Sequence, residues 1–75
     1  MNSDKDLFKL ARHYVMLIDS FEKATLYDEE FAEEMEKIRN EVLEKRYDIN
    51  KFVEFQNMYR EMTVAEYYEF INKLK

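Results

Sequence analysis

From Asp4 onward, apolar residues fall at Leu7, Ala11, Tyr14, Ile18 and Phe21, spacings of four and three that place them along one side of an α-helix. Leu10, Val15 and Leu17 widen that face. The pattern predicts a first helix from about Asp4 to Ala24, with Asn2 or Ser3 as N-cap and Asp4 and Asp6 in the first turn, where the helix dipole favours negative charge. After the Thr25-Leu26-Tyr27 link, a second stripe of Phe31, Met35, Ile38 and Val42 predicts a helix capped by Asp28 and reaching about Arg46. Its charges are ordered along the axis: Asp28, Glu29, Glu30, Glu33, Glu34 and Glu36 come first, and Lys37, Arg39, Lys45 and Arg46 follow, matching the dipole at both ends. Glu33 with Lys37 and Glu41 with Lys45 add favourable pairs at i and i+4.

Tyr47-Asp48-Ile49-Asn50 is the weakest helical stretch in the middle of the chain, and Asp48 is placed to cap a third helix carrying Phe52, Phe55, Tyr59 and Met62. The stripe also continues in phase through Lys45, Ile49, Phe52, Gln56 and Tyr59, which is the signature of one unbroken helix. A break is preferred, because periodic helices beyond about 25 residues are uncommon in small globular domains. Thr63-Val64-Ala65-Glu66 reads as a capping box, with Met62 and Tyr67 at the staple positions. Val64, Tyr67, Tyr68, Ile71 and Leu74 then form the apolar face of a short last helix.

The expected architecture is all-α: a single domain over residues 1–75, folded as a compact bundle of three to four helices. The first two run antiparallel and the shorter C-terminal pair packs across them. The alternative is a long-helix hairpin that completes its core as a dimer. Composition strengthens this reading, since the chain contains no Gly and no Pro where about nine would be usual in this length. Hairpin turns that need positive φ are hard to build without them. Disorder is excluded by an apolar content of 47%, including six Phe and six Tyr. A chain this short buries only about 60% of its unfolded surface, so the core is small.

The absence of cysteine removes disulfides, thiolate metal sites and thiol nucleophiles. Charged residues interrupt the N-terminus where a signal peptide needs an apolar run, and no segment approaches the roughly 18–20 apolar residues that span a bilayer. A cytoplasmic location with no membrane partner is expected. His13, the single histidine, has no activating neighbour in sequence, and Ser3 and Ser20 have no local base. No Glu-x-x-His pair and no EF-hand loop is present. The expectation is therefore no catalytic residue, no metal and no cofactor.

Two surfaces are candidates for binding. Phe55, Tyr59, Tyr67, Tyr68 and Phe70, with other aromatics crowding the last third of the chain, exceed what two short helices bury, which predicts an exposed aromatic patch of the kind enriched at protein interfaces. Glu29, Glu30, Glu33, Glu34 and Glu36 form an acidic face whose like-charge pairs at i and i+4 mildly oppose the helix. With a net charge of −5 and no basic stripe, direct nucleic-acid binding is disfavoured. The function expected is that of a small acidic protein-binding regulator, inhibitor or adaptor whose partner is another protein or a second copy of itself. The alternatives are an acidic decoy that occupies a nucleic-acid-binding site, and a structural homo-oligomer.

Overall fold

The computed structural model describes residues 4–23 and 28–74. They form four helices and no strand: α1 (Asp4–Glu22), α2 (Asp28–Glu44), α3 (Ile49–Arg60) and α4 (Val64–Lys73). The expected all-α bundle is thus the observed one. The Asn2 or Ser3 cap and the link at 25–27 lie outside the described residues. Asp28 is the first residue of α2 rather than the capping residue before it, and with Glu29 and Glu30 it lies in the first turn, toward the positive end of the dipole.

Helix α2 ends earlier than expected, and the way it ends explains the break. The Tyr47 amide donates to the Val42 carbonyl at 3.0 Å and the Arg46 amide to Leu43 at 3.2 Å. Together with a left-handed φ of 55° at Arg46, these form a Schellman motif. Glycine usually fills that position; a chain without glycine places an arginine there. Asp48 then starts α3 by accepting hydrogen bonds from the amides of Asn50 at 2.9 Å and Lys51 at 3.3 Å. The Thr63 box forms as expected: Thr63 Oγ1 accepts from the Glu66 amide at 3.2 Å, and Glu66 Oε1 accepts from the Thr63 amide at 3.0 Å.

Helix α1 is the centre of the molecule, and α2 and α3 pack on it rather than on each other. It runs antiparallel to α2: Phe21 stacks on Phe31 near the 22–28 connection, while Asp6 and Lys9 lie beside Glu41 and Lys45 at the other end. Lys51 Nζ reaches Asp4 Oδ2 at 2.8 Å and fixes the start of α3 to the start of α1. Helix α4 covers the remaining side through aromatic side chains. The result is thin, 35 × 29 × 16 Å, and Phe8 and Leu7 are the largest fully buried side chains.

Phe8, outside the predicted stripe, is wholly buried, whereas Phe21 is partly exposed. The buried face of α1 is broader than a narrow stripe because partners sit on more than one side of it. In α2 and α3 the expected Met35, Ile38, Val42, Phe52 and Phe55 are buried. In α4 only Tyr67 and Ile71 are. Val64 and Tyr68, expected on the apolar face, are exposed at 73% and 56%.

Candidate protein-binding surface

Four of the five aromatics expected in an exposed patch are core or near-core side chains. Phe55 and Tyr67 are buried, Tyr59 and Phe70 are half-buried, and Tyr68 alone stands in solvent. The reason is Phe8, which α1 inserts among them: its ring centroid lies 4.7 Å from Phe70, 5.1 Å from Phe55 and 5.8 Å from Tyr67. Two short helices cannot bury these rings, but two helices and α1 can. Arg12 closes the edge, its guanidinium 5.0 Å from the centre of the Tyr67 ring in a cation–π contact. A hydrogen bond to Tyr59 raises the arginine's pKa further above its ordinary value.

The acidic residues of α2 are spread around the helix. Glu29, Glu30, Glu33 and Glu36 are exposed, while Glu34 is half-buried and accepts from Lys37 Nζ at 3.1 Å. Glu33, expected to pair with Lys37, does not; Glu41 does pair with Lys45, at 3.3 Å. Lys37 and Arg39 follow directly on these carboxylates along α2.

The unsatisfied apolar surface lies elsewhere, at the corner where α2 turns into α3. Leu43, Ile49 and Val53 are exposed at 64%, 57% and 48%. They border a groove of about 310 Å³ lined also by Tyr14, Val42, Phe52, Arg39 and Gln56, its surface almost entirely apolar. Tyr14 and Phe52 meet edge to face at 5.4 Å beneath it. The groove exists because α2 and α3 both rest on α1 and diverge from their connection. Gln56, only 9% exposed, also lines it.

A larger hollow of about 640 Å³ beside Met16, Asp19, Tyr59 and Arg60 is charged at its rim, and wetting it costs little. The apolar corner is the stronger candidate because contiguous exposed aliphatic surface is what small monomers normally avoid. Leu43 and Val53 fall one position beside Val42 and Phe52 of the buried stripes, and Ile49 entered the sequence reading only as a continuation of one. The available signal was an apolar residue flanking each stripe on either side of a helix break.

His13 is exposed on the rim of a shallow hollow containing Asp6, Glu41, Lys45 and Tyr47. Among the described residues, no group of three or more His, Asp and Glu side chains converges to hold a metal ion, and no helix is long and apolar enough to cross a membrane. Comparison with family models, curated proteins and solved structures gave no match.

Proposed function

We propose that this chain is a small, non-catalytic regulator or adaptor of the cytoplasm that binds a protein through the groove between α2 and α3. The observation that carries the reading is the grouping of Leu43, Ile49 and Val53, three exposed aliphatic side chains from two helices around one apolar groove. Burying each of them against a partner is worth roughly 1–2 kcal/mol. A partner helix presenting apolar anchors on one face would fill such a groove, and the Gln56 amide would fix its depth. The acidic-decoy reading has less support, since Glu34 is half-buried and already paired with Lys37.

The test is photo-crosslinking of the full chain in its own cells, with a photoreactive residue replacing Leu43. A discrete adduct is expected there and not from the same residue placed at Lys73 on α4. Equal or absent crosslinking at the two positions would overturn the proposal.

A further inference from the structure

Helix α2 carries a second pattern beside its buried stripe. Glu29, Ala32, Glu36, Arg39 and Leu43 recur at alternating spacings of three and four, the interval of a coiled-coil seam, and all five are exposed. Ion pairs of the described residues include Lys23–Asp19, Lys37–Glu34, Lys45–Glu41 and Lys51–Asp4. None of the three charges in the seam takes part in these.

The seam is complementary to its own reversal. Rotation about a two-fold axis between Lys37 and Ile38 brings Ala32 opposite Leu43 and Glu36 opposite Arg39 of a second copy, each pairing occurring twice. A parallel arrangement fails, since it sets glutamate against glutamate and arginine against arginine. The opposite flank fails too: reversed about Lys37, that lysine meets itself and Glu30 meets Glu44.

From this complementarity we infer that the protein pairs with a second copy of itself, α2 against α2 in antiparallel order. The inference rests on the reading of the α2–α3 corner as a protein-binding surface and names its occupant. Leu43 of one copy seats on the methyl of Ala32 of the other, a residue small enough to let the helices approach. Ile49 and Val53, across the groove from Leu43, close over the same contact. The seam extends about 21 Å, so the interface is small and edged by exposed ion pairs. Association is accordingly weak, in a range of about 10–100 μM, and sensitive to salt.

Sedimentation equilibrium of the full chain over 5–500 μM tests this. The wild type should form dimers that weaken several-fold between 50 and 500 mM salt. Glu36→Arg and Arg39→Glu should each weaken dimerisation about tenfold or more, and an equimolar mixture should restore it as a mixed dimer, because each reversed charge then meets its opposite. Circular dichroism verifies that each exposed-site variant is folded. The register has a separate readout, since the chain has no cysteine of its own. On oxidation, Ala32→Cys and Leu43→Cys should link to each other and neither to itself. A monomer throughout the range, charge reversals without effect, or cysteine variants that link only to themselves would overturn the inference. A monomer that still gives the Leu43 photo-adduct with another protein would leave the functional proposal standing while removing this one.

Discussion

The aromatic cluster around Phe8 and the aliphatic corner around Leu43 are both made of apolar residues at helical spacing, yet one is closed and the other open. Three helices converge on Phe8: α1 carries it, α3 brings Phe55, and α4 brings Tyr67 and Phe70. At Leu43 the walls are α2 and α3 over α1, and no residue of α4 lines the groove. A high density of aromatics therefore marks the place where the chain is sealed. The sparser aliphatics mark where it is unfinished.

The largest effect that separates the two regions is at Phe8. Phe8→Ala should cost about 3–5 kcal/mol, comparable to the whole stability of a single core this small, and abolish the cooperative urea transition followed by circular dichroism. Leu43→Ser should alter stability by no more than about 0.5 kcal/mol while abolishing the Leu43-dependent association. Equal losses of stability at the two positions would show that the corner is part of the core.

Thr63→Ala removes one half of the capping box that launches α4 over Phe8 and should lower the unfolding free energy by about 1 kcal/mol in urea titration. Arg46→Gly works in the opposite sense at the other region. Relief of the left-handed arginine should raise the unfolding free energy by about 0.5–1 kcal/mol in urea titration.

The smallest effect lies on the border of the two regions. Lys51 bonds Asp4 and also lies 5.9 Å from the Phe55 ring centre. Its hydrogen bond to Asp4, aided by attraction to the same carboxylate, raises its pKa above the ordinary 10.5. A lysine whose pKa is raised by folding stabilises fully below its unfolded value and loses that contribution as pH rises through the folded one. The melting difference between wild type and Lys51→Met should thus be constant from neutral pH to about pH 9 and shrink only above the ordinary lysine range. A difference that disappears near neutrality would assign the effect to another group.

Much of the fold was legible because it is local. The Thr63–Glu66 box and the Asp48 cap depend on a few consecutive residues, and the stripes of α2 and α3 depend only on helical period. The exposure of individual aromatics was not legible, because it depends on a ring from α1 more than forty residues away in sequence from Phe55. The end of α2 was half legible: the weak stretch announced a break, but nothing in an arginine announces a left-handed residue. The open corner was the least readable part. Leu43, Ile49 and Val53 differ from core residues only in lacking a neighbour, and that is a property of how α2 and α3 diverge.

The placement of Phe8 also bears on how the chain is made. Its ring partners all lie from Phe55 onward, so Phe8 has no ring partner until α3 and α4 have followed. Loop closure on this scale slows folding relative to neighbour-by-neighbour docking. The growing chain therefore carries this apolar face open until those helices have followed, and a chain cut before Val64 never closes it. Termination before Val64 yields a substrate for chaperones and proteases rather than a smaller version of the protein.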